Sequence, residues 1–179
     1  DNGNKILQKI TGEDTSWGQD DFEWVEWAYD DRGNMLKKLV KDENGMITYG
    51  EKYEYNEDGQ EVKITYLKDK GAIRKTYIKF YNEEDNLKKM ISKDSSGKIF
   101  SKIISFYDDK GNEIKYIRKK DKKITDINKY EYDDQGNKIK SIWIDIKDGK
   151  EVIDEIREYK YDQYGNIIFE LHKNKDGVE

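Results

Sequence analysis

Reading apolar against polar positions, the chain alternates with a period near two, in runs of about eight to ten residues, from Phe22-Glu23-Trp24-Val25 to Ile167-Ile168-Phe169-Glu170-Leu171. That period is the strand period, since successive strand side chains point to opposite faces. Clusters of Asp, Asn and Gly break each run; those residues mark turns because they tolerate left-handed backbone or bond their own main chain. The pattern therefore predicts β-strands joined by short turns, and short connections make sequence neighbours antiparallel.

The turns recur with one spelling. Tyr29 opens Y-D-D-R-G-N, and versions of it begin at Tyr55, Tyr81, Tyr107, Tyr132 and Tyr161, at intervals of 26, 26, 26, 25 and 29 residues. The fourth residue after each is Gly33, Gly59, Asp85, Gly111, Gly136 and Gly165. In D-D-R-G the first Asp accepts backbone hydrogen bonds, the middle pair suits a type I turn, and Gly takes the left-handed position of a G1 bulge. Asp85 is read as a weakened copy of the same turn, sharing that conformation. A second turn lies half a period on, ending at Gly45, Gly71, Gly97, Gly149 and Gly177; the fourth repeat has K-K-D-K-K there, without glycine. The expected fold is all-β: an antiparallel β-meander of about 13 strands built from tandem two-strand repeats of about 26 residues. The array covers residues 1–179 as one domain, with an irregular first repeat over 3–29 and regular repeats over 30–177. Helix is expected to be almost absent.

By column, one face carries the motif tyrosines, with Trp27, Tyr53, Lys79, Ser105, Tyr130 and Tyr159 two positions earlier. Counting across the turn puts Lys37, Lys63, Lys89, Lys115 and Lys140 beside that aromatic column, stems over the rings. Leu36, Val62, Ile114, Ile139 and Ile168 fall on the other face, with Ile78, Phe80, Ile104 and Phe106. Both faces are half apolar, which fits a single curved or spiral sheet. A flat single-layer sheet and a closed barrel are the alternatives.

Composition changes the picture in two ways. With 41% charged and 34% hydrophobic residues, no proline and 13% aromatics, a thin structure with much surface fits better than one compact core. The 34 basic and 39 acidic residues are interspersed, so no basic stripe points to nucleic acid, and no apolar run is long enough for a membrane span.

The pattern Tyr130-Glu131-Tyr132-Asp133-Asp134-Gln135-Gly136-Asn137, echoed at Tyr53-Glu54-Tyr55, resembles the YD-repeat (RHS-repeat) family over nearly the whole chain. The resemblance implies long antiparallel strands that spiral, a bacterial cell-surface or secreted setting with its export signal removed, and for some members carbohydrate binding. Two features depart from the family: Asn or Gln follows the turn glycine where Arg is common, and the proline-containing self-cleavage segment is missing. A short stand-alone relative is therefore expected, not a toxin cage.

Chemistry is sparse. There is no cysteine, and His172 is the single histidine. No phosphate loop or nucleophile elbow occurs. The Asp pairs at 30 and 31, 108 and 109, and 133 and 134 are read as turn chemistry in preference to calcium ligands, because they decay to Asn and Glu without other change. No catalytic residue, metal or cofactor is expected. The candidate ligand-binding residues are Trp17, Trp24, Trp27 and Tyr53, since sugar rings stack on aromatic faces. Trp17 lies in an irregular insertion from Thr11 to Phe22, expected to fold over one end of the sheet. The function expected is a non-enzymatic binding or scaffold module with a glycan or another protein as partner. The alternative is a cytoplasmic, immunity-type partner of a polymorphic toxin. The sequence starts inside one turn and stops just after another, so the array is expected to continue or to be finished by another chain, with edge-to-edge self-association as a further outcome.

Overall fold

The structure is a computed structural model that describes residues 5–11 and 22–174, with side chains from residue 24 onward. Trp17 and most of the Thr11–Phe22 insertion lie outside the described residues.

Among these residues the chain forms 13 strands: β1 (Lys5–Thr11), β2 (Phe22–Tyr29), β3 (Met35–Lys41), β4 (Ile47–Tyr55), β5 (Glu61–Lys68), β6 (Ala72–Tyr81), β7 (Leu87–Asp94), β8 (Ile99–Tyr107), β9 (Glu113–Lys120), β10 (Lys123–Tyr132), β11 (Lys138–Lys147), β12 (Lys150–Tyr161) and β13 (Ile167–Asn174). Their order in the sheet is their order in the chain, so the fold is the antiparallel meander expected from the period. The order is open: β1 and β13 stand at its two ends, not side by side, and the sheet is not a closed barrel. A single 3₁₀ turn, Asp69–Gly71, is the helical content of the described residues. No helix there is long and apolar enough to cross a membrane.

The turns follow their residues. At Tyr29 the amide of Asp30 donates to the Asn34 carbonyl (2.9 Å) and that of Gly33 to the Asp30 carbonyl (3.1 Å), and the same pair of bonds recurs after the other five motif tyrosines. Gly59, Gly111 and Gly136 have φ of 84°, 85° and 86°, and Asp85 shares the conformation at 64°. The half-period turns differ among themselves, and the one closed by Gly71 is the 3₁₀ turn Asp69–Gly71. Those closed by Gly45 and Gly97 repeat the motif geometry. Asp121-Lys122 and Asp148-Gly149 are two-residue turns with positive φ at both positions, the mirror-image geometry that suits strand twist.

A second irregularity was not expected. In the β2–β3 hairpin Tyr29 faces Met35 while Ala28 faces Lys37, so one residue of β3 has no counterpart. The same slip follows Tyr55, Tyr107, Tyr132 and Tyr161. This bulge, beyond the one at the turn, exchanges the two columns predicted after the turn. Lys37, Lys63 and Lys115 pair with Ala28, Glu54 and Phe106, on the face opposite the motif tyrosines. The rings under the lysines are accordingly phenylalanines, with Lys89 Nζ 3.8 Å from the Phe80 centroid and Lys115 Nζ 5.9 Å from that of Phe106. Leu36, Ile114 and Ile139 move to the tyrosine face, where they line shallow clefts with Tyr55, with Tyr132 and with Tyr161 respectively.

An interrupted ladder leaves backbone groups that need other partners. The motif tyrosines supply them. Tyr55 donates its hydroxyl to the Met35 carbonyl (3.0 Å), Tyr107 to that of Leu87 (2.9 Å), Tyr132 to Glu113 (3.0 Å) and Tyr161 to Lys138 (2.8 Å). Each acceptor lies at the same place in the preceding repeat, six residues after its own tyrosine. Burial holds these four phenols above their ordinary pKa.

Contacts divide the chain into two units, Asp1–Lys79 with Ser92–Ile99, and Phe80–Ile91 with Phe100–Glu179. In the first, the lysine-bearing face carries the row Glu26, Leu39, Gly50, Leu67 and Ile73 across β2 to β6. Leu39 is 6% and Leu67 3% exposed, each contributing roughly 1.5–3 kcal/mol by burial. Gly50 lies between them: a Cβ there would come within 2.7 Å of Leu39 Cδ2, so glycine lets the two leucines close over the backbone. In the second unit the matching row is an isoleucine ladder, Ile104, Ile117, Ile127, Ile144 and Ile153, across β8 to β12. Stacked β-branched neighbours suit a pleated surface, and Ile127 and Ile144 at its centre are 4% exposed.

Candidate functional site

The four nominated residues do not converge. Trp24 and Trp27 both belong to β2 but stand three residues apart, and an odd separation on a strand sends them to opposite faces. Trp24 faces Lys41 on the side of Glu26 and Leu39, whereas Trp27 faces Lys38 on the tyrosine side. Trp17 falls outside the described residues. Trp27 and Tyr53 share a face of the first unit, on β2 and β4 with β3 between them.

Around those two lies a group of side chains that had not been nominated. Glu51 of β4 is flanked on its own strand by Tyr49 and Tyr53, and both phenols donate to it, one to each carboxylate oxygen, at 2.5 Å. Burial acts to raise the Glu51 pKa, but the two phenol donors and the positive charge of Lys38 outweigh it and the carboxyl stays below its ordinary value. Burial and the neighbouring carboxylate push Tyr49 up to about 12 and Tyr53 higher still. Both hydroxyls therefore remain protonated donors across the physiological range.

Across the strands, Glu51 faces Lys38 on one side and Tyr66 on the other, and Tyr66 faces Lys75. The Lys75 ammonium donates to the Tyr77 hydroxyl at 2.8 Å and sits 4.6 Å and 4.8 Å from the Tyr66 and Tyr77 ring centroids. Those two rings meet edge to face, centroids 5.7 Å apart. Such ring and cation contacts hold the rings in fixed orientation. The result is an open aromatic surface of Trp27, Tyr49, Tyr53, Tyr66 and Tyr77 around one carboxylate and two lysines. The sequence signal for it was present: Tyr49, Glu51 and Tyr53 are two apart, so they share a strand face.

A cleft with a volume of about 1080 Å³ lies elsewhere, in the second unit, between the turns that follow Tyr81 and Tyr107. It is wide, shallow and polar. The leading acid of each well-formed motif turn is already used by that turn. Asp108 Oδ1 accepts the Lys110 and Asn112 amides (3.0 and 2.8 Å) while its Oδ2 accepts the Asn112 side chain (3.0 Å). Asp30, Asp133 and Asp162 are held in the same way. This pattern explains the Asn after the turn glycine, and the Asn hydrogen bond in particular keeps these four carboxyls below their ordinary pKa. Among the described residues no group of three or more His, Asp or Glu side chains is placed to hold a metal ion. The aromatic face of the first unit is thus the better candidate.

Compared with known protein families and with curated proteins, the chain matches none. Among solved structures it is similar to a porin-like protein from Bacteroides uniformis, at 16% identity over 83% of this chain and 93% of that chain, with a TM-score of 0.34. At that distance the likeness carries no functional argument.

Proposed function

We propose that the chain is a non-enzymatic binding module of the YD-repeat type, secreted or displayed on a bacterial surface, whose aromatic face takes up an extended oligosaccharide. The observation that carries this reading is the placement of Trp27, Tyr49, Tyr53, Tyr66 and Tyr77 on one face of the first unit, with polar groups between the rings. Pyranose rings present flat C–H faces that stack on aromatic side chains, and their hydroxyls bond the acids, phenols and ammonium groups between. Rings already fixed by hydrogen bonds lose little freedom on binding.

Titrating tryptophan fluorescence against a panel of oligosaccharides tests the reading. The expected result is saturable binding that Trp27→Ala weakens about tenfold, with Trp24→Ala, on the opposite face, close to wild type. Recovery of a protein partner from cell extract, with no glycan bound, would instead support the immunity-type role.

A further inference from the structure

The stretch K-K-D-K-K, Lys119 to Lys123, has no part in the aromatic face, and it stands where the other half-period turns carry glycine. It forms the tip of the β9–β10 hairpin in the second unit. The backbone there is left-handed at Asp121 (φ 45°) and at Lys122 (φ 69°), a conformation that costs a lysine stability and a glycine little. Lysines also face one another across the ladder: Lys120 pairs with Lys123, and Lys119 with Lys102 of β8. Like charges placed directly opposite destabilise a sheet. Strain and repulsion kept together at one tip point to a partner that offsets them.

The tip has an apolar side as well. Ile124 faces Lys119, Lys119 faces Lys102, and Phe100 lies two residues before Lys102, so these four side chains share a face. The Asp121 amide donates to the Phe100 carbonyl at 3.2 Å, which sets Phe100 beside the turn. Phe100 is 37% and Ile124 36% exposed. Lys102, Lys119, Lys120, Lys122 and Lys123 gather around the single carboxylate of Asp121, which calls for an anionic partner. Exposed apolar side chains among them call for a partner that also excludes water. A dissolved polyanion meets the first need only. A bilayer of acidic phospholipids meets both, with phosphates at the lysines and the headgroup–acyl boundary at Phe100 and Ile124.

We propose that the β9–β10 tip docks the chain on anionic lipid surfaces. The contact is interfacial and made by the tip, with the lysines supplying attraction to the acidic headgroups and the two apolar side chains supplying depth.

The test is sedimentation of the intact chain with vesicles of phosphatidylcholine alone or in equimolar mixture with phosphatidylglycerol. Binding is expected to the mixed vesicles only, to weaken with salt, and to fall about tenfold or more in Lys120→Gln/Lys122→Gln. Lys68→Gln/Lys70→Gln, at a turn of the first unit, makes the same change in net charge and should bind as wild type. Lys122→Gly should stabilise the fold and still weaken binding, which separates docking from folding. Phe100→Ala should weaken vesicle binding about fivefold and leave any binding to polyphosphate, a soluble polyanion, where it was. No uptake by the mixed vesicles, or equal losses in the two double variants, would overturn the proposal. Tight binding to polyphosphate, with Phe100→Ala indifferent on vesicles, would overturn it in favour of a site for soluble polyanions.

Discussion

A tyrosine hydroxyl is a small thing to repeat at every period, yet here it has a definite task. Tyr107 places its donor on the Leu87 carbonyl, six residues after the preceding motif tyrosine. Phenylalanine would fill the same space and leave that carbonyl without the bond. Tyr107→Phe is therefore expected to lower stability by about 1 kcal/mol in urea denaturation, while Tyr164→Phe, at a side chain 80% exposed, should be neutral. An equal response from both would show that the hydroxyl does not matter. Gly50 is the second residue whose role is local. Its missing Cβ is space used by Leu39 and Leu67, so Gly50→Ala should cost about 1–3 kcal/mol through overpacking. A melt at or above the wild-type temperature would refute that packing account. Neither role stood out in the sequence. Gly50 sits inside a strand, where glycine has no turn to explain it, and a tyrosine beside a turn reads equally well as a cross-strand packer.

At the scale of elements the sequence was far more informative, because turns are specified by their own residues. The glycine positions, the left-handed Asp85 and the two strands per period all follow from local chemistry. The second bulge does not, since no residue type at the slip demands it and its partner tyrosine lies about twenty residues away. That single missing shift sent the lysine column to the wrong face. Trp24 and Trp27 were a different kind of error, for their odd spacing already separated them. Turn chemistry also marks where the fold can be improved. Lys122 has φ of 69° and Asp121 45° in a turn that favours Asn-Gly. Lys122→Gly should stabilise by about 0.5–1 kcal/mol, and Asp85→Gly by less, because Asp tolerates the conformation better. Gly111→Val should cost about 1–2 kcal/mol. Thermal melts of the three variants test the order, and a destabilised Lys122→Gly would contradict the turn assignment.

For the whole molecule, stability should have a defined pH range. Lys37 and Lys41 grip Glu26 at 2.5 and 2.7 Å and hold its pKa down to about 2, from an ordinary 4.5. A depressed carboxyl stabilises the fold fully above its unfolded value. The contribution, about 1–2 kcal/mol after allowance for solvent, should therefore fade as pH falls from about 4.5 towards 2. Tyr49 works at the other limit: its pKa is raised, so its share is whole below pH 10.0 and disappears as pH climbs towards 12. In urea melts the gap between wild type and Glu26→Gln should be widest at neutral pH and close in acid. Parallel losses in the two proteins would show that the ion pairs are not responsible.

The tyrosine-to-carbonyl bond has one more consequence, for how such a chain is inherited. Where the bond is seen, from Tyr55, Tyr107, Tyr132 and Tyr161, donor and acceptor are both parts of the repeat, the phenol at its head and the carbonyl six residues on. A tandem copy of the coding segment therefore arrives with both halves of its joint already made, and it can be gained or lost without inventing an interface. The length of the array becomes a quantity that recombination alone can adjust, while selection is left to work on the side chains of a single face.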